Sequence, residues 1–236
     1  MARKSLLSST VLFLVAQKMP EDFYAINLRL AGRFCLVVGG GPVASRKTHG
    51  LLASRARVRL VSPHVTPDLA ELARQGEIAW LARPFQKEDL IGVVLVFAAT
   101  DDPATQEQIS RDAAELNILV NRADDPSRGD FHLPASVRRG ALLITISTSG
   151  QSPALSAALR RRLERELGDV YAPLTELCSR LRPFFSDRKK LSECTECLAA
   201  RVAAVPPDKR EAEAWRLLAA MLPEGIDVSS LLRGIF

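Results

Sequence analysis

Short apolar runs alternate with stretches of helical periodicity between positions 33 and 123. The apolar runs predict five strands, at 34–38, 58–61, 78–81, 93–99 and 118–120. The run at 93–99 is apolar throughout, as expected of a parallel strand that is buried on both faces. Helices are predicted between the strands, and Asp101 or Asp102 caps the one that begins at Pro103. Repeated β-α-β units of this kind predict an α/β fold with a parallel sheet.

The pattern changes after residue 124. Apolar runs at 131–134 and 142–147 predict two strands, separated by a turn at 138–140. Ser152 and Pro153 begin a predicted helix that extends to about residue 167, and the chain from 170 onward is helical in period. We therefore divide the chain into an extension or mis-assigned start (1–18), a sheet domain (19–133), a small α+β segment (134–168) and an all-helical C-terminal domain (169–236).

A glycine-rich turn connects the first predicted strand to the first helix. Gly39 and Gly41 fit the pattern G-x-G-x-x-A, with Ala44 in the last small position. Gly39 permits the tight turn, and Gly41 lets a pyrophosphate approach the backbone at the helix N-terminus, where Pro42 and Val43 follow. In this strand–turn–helix context the motif predicts a Rossmann-type NAD-binding domain, although a purely structural glycine turn is the alternative.

Other residues at the carboxyl ends of the predicted strands should meet the same ligand, because ligands of open parallel sheets bind at that edge. The predicted cofactor contacts are Ser62, Pro63, Thr100 and Asp101. Ser62 stands where a carboxylate would hold the adenosine ribose, so the choice between NAD and NADP stays open. Arg46 and Lys47 are either contacts for a 2′-phosphate or solvated charges.

Two residues beyond the fifth predicted strand are candidates for acid–base chemistry. Asp124 should face the reactive end of a bound cofactor, where a carboxylate can accept a proton. Alternatively, Asp124 and the following Asp125 simply form a turn. His132 is a second candidate base, but a histidine in this position is more often packed and hydrogen-bonded.

Composition narrows the class of partner. The 236 residues are 47% hydrophobic and 25% charged, and the net charge of +5 suits a polyanionic small molecule. No nucleic-acid-binding motif accompanies the dispersed basic residues, so we expect no nucleic acid partner. Cys194 and Cys197 form a C-x-x-C without two further ligands nearby, which favours ordinary helical cysteines over half of a metal site or a redox pair. We therefore predict no protein metal site.

The first 18 residues combine a basic start with a short apolar segment. They imitate a signal peptide, but an upstream start codon before Met19 is the interpretation we favour. No apolar run is long enough for a confident membrane span, so we expect a cytoplasmic protein without a membrane partner.

Several blocks of the chain, taken in order, resemble the siroheme synthase dehydrogenase/ferrochelatase module. These blocks are 24–28, 32–33, 37–47, 98–102, 121–125, 131–135 and 144–154, and the similarity covers about residues 23–167. The resemblance implies NAD-dependent oxidation of precorrin-2 to sirohydrochlorin, with insertion of Fe²⁺ in some members. It also implies a homodimer, formed by swapping the segment 134–168.

The same resemblance assigns roles to individual residues. The key aspartate of the family falls on Asp124, and a serine near the tetrapyrrole falls on Thr148, beside Ser149. His132 and Arg138 are further predicted substrate contacts, since the tetrapyrrole carries many carboxylates that arginine can bind. Further arginine candidates are Arg122, Arg139 and Arg160. Two rival hypotheses are a non-catalytic NAD(H)-sensing module and a dehydrogenase of an unrelated small acid.

Overall fold

The computed structural model describes residues 23–236, which form two compact units that divide between Leu133 and Pro134. The predicted extension over residues 1–18 lies outside the described residues. No helix within residues 23–236 is long and apolar enough to cross a membrane.

The first unit contains a five-stranded parallel sheet in the order β3-β2-β1-β4-β5. Its elements are β1 (Phe34–Val38), α1 (Pro42–Ala53), β2 (Arg57–Val61), α2 (Pro67–Arg74), β3 (Ile78–Leu81), β4 (Val93–Ala98), α3 (Pro103–Glu115) and β5 (Leu119–Arg122). Alternate residues of β1 and β4 enter two separate apolar clusters, represented by Leu36 and Val96 on one face and by Val37 and Phe97 on the other. Burial of both faces explains the continuous apolar runs of these strands.

The fifth strand extends further into polar sequence than predicted. It includes Asn121 and Arg122, whose side chains are buried. The Asn121 amide donates a hydrogen bond to the carbonyl oxygen of Phe131 at 2.8 Å, and the Arg122 guanidinium is ion-paired. Because both polar side chains have partners inside the protein, the strand can include them. A pattern of apolar residues alone does not predict this extension.

The second unit begins with an antiparallel hairpin and continues with helices. The hairpin joins β6 (Ala135–Arg139) to β7 (Leu142–Ile146). The helices are α4 (Pro153–Glu166), α5 (Tyr171–Leu181), α6 (Arg188–Ala204), α7 (Arg210–Met221) and α8 (Val228–Leu232). Leu177 and Leu181 of α5 pack with Leu198 and Leu218 in one buried cluster. The predicted fold class, a parallel α/β sheet followed by a small strand pair and helices, is confirmed.

The prediction of a strand at 131–134 is wrong. These residues are irregular, and the strand begins at Ala135. The Phe131 carbonyl is already occupied by Asn121, and Pro134 has no N–H to donate to a strand ladder. The turn also shifts: Arg138 and Arg139 belong to β6, and Gly140 turns the chain at φ +58°. The division of 134–236 into a dimerisation segment and a separate helical domain stays a prediction.

Candidate active site

A cleft of about 800 Å³ opens at the carboxyl ends of the parallel strands. Most of its lining comes from the segments that follow β1, β2, β4 and β5, and Pro84 and Phe85 in the segment after β3 complete it. In the sheet, β2 lies on one side of β1 and β4 lies on the other, so the strand order reverses at β1. The cleft lies at this switch point, where α/β sheets bind ligands. All eight predicted cofactor residues line it, together with Asp124.

Two glycines of the turn after β1 are required by close backbone packing. Gly39 has φ +122°, and a Cβ there would lie 2.2 Å from the Ala99 carbonyl oxygen. A Cβ on Gly40 would lie 1.8 Å from the carbonyl oxygen of His64. The turn is thus held between the loops that follow β2 and β4, and no side chain fits at either position. Sequence reasoning missed Gly40, because the dinucleotide motif leaves its middle position open.

Gly41 differs from its two neighbours, because a Cβ there would meet nothing within 4 Å. It is the N-cap of α1, and no side chain in the described residues caps that helix. Pro42 occupies the first turn, which contains no acidic residue. An uncapped helix N-terminus beside open space offers backbone N–H groups and a partial positive charge to an anion. These residues therefore fit the pyrophosphate of a dinucleotide.

The end of the cleft beside β2 contains hydroxyl and imidazole groups. The Ser62 hydroxyl donates to the His64 carbonyl oxygen at 2.7 Å, so it stabilises its own loop.

Arg46 is exposed on α1, whereas the Lys47 ammonium lies 5.6 Å above the centre of the Phe97 ring. Neither residue is among those that line the described cleft, and none of the lining residues is lysine or arginine.

The loop after β4 supplies the opposite wall. Asp102, and not Asp101, is the N-cap of α3, where its carboxylate accepts the backbone N–H of Thr105 at 3.0 Å. The hydrogen bonds from Thr105 lower the pKa of Asp102. Asp101 is exposed and also lines the cleft. Sequence reasoning missed Phe85 and Thr105 in the cleft lining, because Phe85 lies four residues beyond β3 and Thr105 lies inside α3.

Asp124 is held by a two-point ion pair. Arg122 Nε lies 3.0 Å from Asp124 Oδ1, and Arg122 Nη2 lies 2.7 Å from Asp124 Oδ2. The arginine side chain is 2% exposed and the carboxylate 37%. Hydrogen bonding from Arg122 lowers the pKa of Asp124, and the same bond raises the pKa of Arg122. Asp124 is therefore an ionised carboxylate that remains accessible from the cleft.

The ion pair removes Arg122 from the candidates for substrate binding. Its third nitrogen faces Glu107 Oε2 at 3.2 Å, so the buried guanidinium is already occupied. Arg139 donates to the carbonyl oxygens of Glu164 and Leu167, and Arg160 pairs with the Glu164 carboxylate. Arg139 and Arg160 therefore stabilise the second unit.

The remaining predicted substrate contacts lie outside the residues that line this cleft. His132 Nε2 is 3.0 Å from the Pro126 carbonyl oxygen, and its ring centroid is 4.4 Å from that of Phe23. In the second unit, Thr148 Oγ1 accepts the Ser152 N–H, and Ser149 has φ +51°. Arg138 is exposed on β6. These four residues, His132, Thr148, Ser149 and Arg138, stay predicted contacts.

The C-x-x-C cysteines lie on α6. Cys194 is fully buried, and burial raises its pKa to about 11, whereas Cys197 is half-buried. Within residues 23–236, no group of three or more His, Cys, Asp or Glu side chains is placed to hold a metal ion. The buried thiol of Cys194 therefore packs in the helical core.

Comparisons with known proteins identify the family. A model described as NAD(P)-binding matches residues 26–135, and a model of the sirohaem biosynthesis protein central region matches residues 139–166. The siroheme synthase 2 of Aeromonas salmonicida (strain A449) is 36% identical over 213 residues. That match covers 87% of this chain and 43% of the relative. The chain belongs to the siroheme synthase dehydrogenase/ferrochelatase module family.

Other members show the same relationship. The siroheme synthase of Pseudomonas putida (strain W619) is 40% identical over 161 residues, which cover 68% of this chain and 35% of that protein. The chain thus spans less than half the length of the curated siroheme synthases it matches. A solved structure of SirC, precorrin-2 dehydrogenase, has a TM-score of 0.69 at 26% identity, and covers 84% of this chain and 100% of its own.

Proposed function

We propose that this chain oxidises precorrin-2 to sirohydrochlorin with NAD⁺ as the hydride acceptor. The observation that carries this proposal is the presence of an open glycine turn and an ionised carboxylate, Asp124, in the same cleft. The similarity to SirC, precorrin-2 dehydrogenase, supports the choice of substrate.

The charges of the cleft favour NAD over NADP. Asp101, Asp102 and Asp124 line the cleft as described, and no lysine or arginine does. A 2′-phosphate would therefore add negative charge without gaining a basic partner, apart from the imidazole of His64. An uncharged ribose hydroxyl meets no such repulsion, and the hydroxyl-bearing loop at Ser62 suits it.

Asp124 acts on the substrate through its fixed negative charge. When bound against Gly41 and Pro42, NAD⁺ would supply the acceptor for a hydride from the reduced macrocycle. Loss of hydride leaves positive charge on the tetrapyrrole, and a carboxylate that is already ionised and oriented stabilises that charge. The resulting cationic macrocycle is acidic enough to release a proton to a carboxylate of low pKa.

Three predicted substrate contacts, Thr148, Ser149 and Arg138, belong to the second unit and stay predictions. Thr148 and Ser149 lie in the loop between β7 and α4, and Arg138 is an exposed cation on β6. The net charge of +5 attracts a polycarboxylate. A homodimer, insertion of Fe²⁺ into sirohydrochlorin and a cytoplasmic location stay predictions.

An absorbance assay with purified protein, precorrin-2 and NAD⁺ tests the proposal. We expect sirohydrochlorin to form with the wild type and with Asp125→Asn. The side-chain oxygen of an asparagine at 125 can still accept the hydrogen bond from the Ser127 N–H. Asp124→Asn should abolish turnover while NAD⁺ still binds. Binding of NAD(H) without oxidation of precorrin-2 would favour a sensing module, and oxidation of another small acid would favour an unrelated dehydrogenase.

A further inference from the structure

The guanidinium of Arg122 is buried beside Asp124 in the first unit. Arginine is rarely buried as completely as Arg122 unless every charge is paired. Arg122 ends β5, so its backbone is fixed in the sheet by pairing of β5 with β4. The side chain therefore starts from a backbone position held by strand pairing, two residues before Asp124 in the cleft lining.

We propose that Arg122 is a positioning residue that fixes the Asp124 carboxylate at the rim of the cleft through their two-point ion pair. This inference rests on the proposed function. A fork of two parallel N–H···O bonds restrains both the position and the rotation of a carboxylate, which a single contact does not. Asp124 itself follows the strand in a loop, where its own backbone restrains it less.

A second ion pair holds the arginine in turn. Glu107 lies on α3, and its Oε2 accepts hydrogen bonds from Arg122 Nη1 at 3.2 Å and from Arg128 Nη2 at 2.5 Å. Two carboxylates and two guanidiniums thus alternate in a network without net charge. Since every charge has an opposite neighbour, burial of Arg122 avoids the cost of an uncompensated ion.

Several other titratable groups surround Asp124 and could influence its ionisation. Asp125 is its neighbour in the chain, and Asp101 and Asp102 line the same cleft. His132 bonds to Pro126 in the turn that follows. Hydrogen bonding from Arg122 favours the ionised form of Asp124, whereas burial disfavours it. Removal of Arg122 should therefore raise the pKa of Asp124.

The sign of the effect on activity follows from this shift. The ionised form of Asp124 is the active one, so a raised pKa moves the acid limb of the kcat profile to higher pH. In Arg122→Met we expect kcat at about pH 8 to fall roughly tenfold through lost orientation. At about pH 5 it should fall by a further factor of about three or more through protonation. Titration of the substrate carboxylates is common to both proteins and cancels in the comparison.

The experiment combines a pH profile of precorrin-2 oxidation with a carboxyl ¹³C NMR titration of Asp124, assigned by its absence in Asp124→Asn. The matched control is Arg128→Met, which removes an exposed arginine from the same network but no contact of Asp124. We expect this control to keep the acid limb of the wild type. Arg122→Lys keeps the positive charge but not the fork, so it should lower kcat while leaving the acid limb near that of the wild type.

Three outcomes overturn the proposal. In the first, the Asp124 titration is the same in Arg122→Met as in the wild type. In the second, the titration moves but the kcat profile does not. In the third, Arg128→Met shifts the acid limb as much as Arg122→Met. If Arg122→Met does not fold, a kcat for Arg122→Lys equal to that of the wild type also overturns it. A wild type that never oxidises precorrin-2 refutes the proposed function instead, whereas the NMR titration still measures the hold of Arg122 on Asp124.

Discussion

Replacement of Gly41 by alanine should weaken NAD binding while the protein stays folded. The backbone at Gly41 has φ −84°, which alanine adopts without strain, and a Cβ there would touch nothing within 4 Å. We therefore expect the free energy of unfolding to change by less than about 0.5 kcal/mol. The added methyl would occupy the space through which a phosphate oxygen must come within about 2.9 Å of a backbone N–H. We expect the affinity for NAD⁺ to fall at least about tenfold, or roughly 1.4 kcal/mol.

Calorimetric titration with NAD⁺ and urea unfolding measure the two effects separately. Gly50→Ala is the matched control, since Gly50 lies inside α1 with nothing within 4 Å of its Cβ position. This control should keep the affinity and gain roughly 0.5–1 kcal/mol of stability from helix propensity. Gly40→Ala should instead lose about 1–3 kcal/mol of stability, because its Cβ overlaps the His64 carbonyl. Unchanged NAD⁺ affinity in Gly41→Ala would refute the placement of the pyrophosphate.

Two further predictions concern the packing of the chain. Asp89 is 3% exposed, and its two oxygens accept hydrogen bonds from Arg83 at 2.6 and 2.8 Å. Asp89→Asn should lower the free energy of unfolding, measured in urea, by about 2–3 kcal/mol. Burial raises the pKa of Asp89, but hydrogen bonds from Arg83 and the Gln86 N–H outweigh burial, so the native pKa lies below its usual value. The stability that Asp89 contributes is therefore present at neutral pH and lost as pH falls through the native pKa. An acid-limb stability profile of Asp89→Asn parallel to that of the wild type would contradict this. Burial raises the pKa of the Cys194 thiol to about 11, so alkylation at about pH 8 should proceed only after unfolding, and rapid labelling of the native protein would contradict that burial.

Local sequence signals were sufficient to predict strands β1 to β4 and the glycine turn of the first unit. The apolar runs of β1 and β4 are continuous because both faces of the sheet are covered, and the glycine turn and the Pro103 helix start depend only on neighbouring residues. Such features can be recognised in sequence because each has its cause within a few positions.

Long-range pairing accounts for what the sequence did not predict. Arg122 was a candidate for binding substrate carboxylates, but its buried guanidinium is neutralised by Asp124 and Glu107, and Glu107 is 15 residues away. The strand predicted at 131–134 failed because Asn121 captures the Phe131 carbonyl from another element. A pattern of hydrophobic and polar residues contains no information about which distant partner satisfies a buried polar group.

A crystal structure of the protein with NAD⁺ tests the central claim most directly. The account predicts that the pyrophosphate lies against Gly41 at the N-terminus of α1, with the nicotinamide ring on the side of the cleft where Arg122 holds Asp124. A cofactor bound elsewhere, or a nicotinamide ring turned away from Asp124, would contradict it.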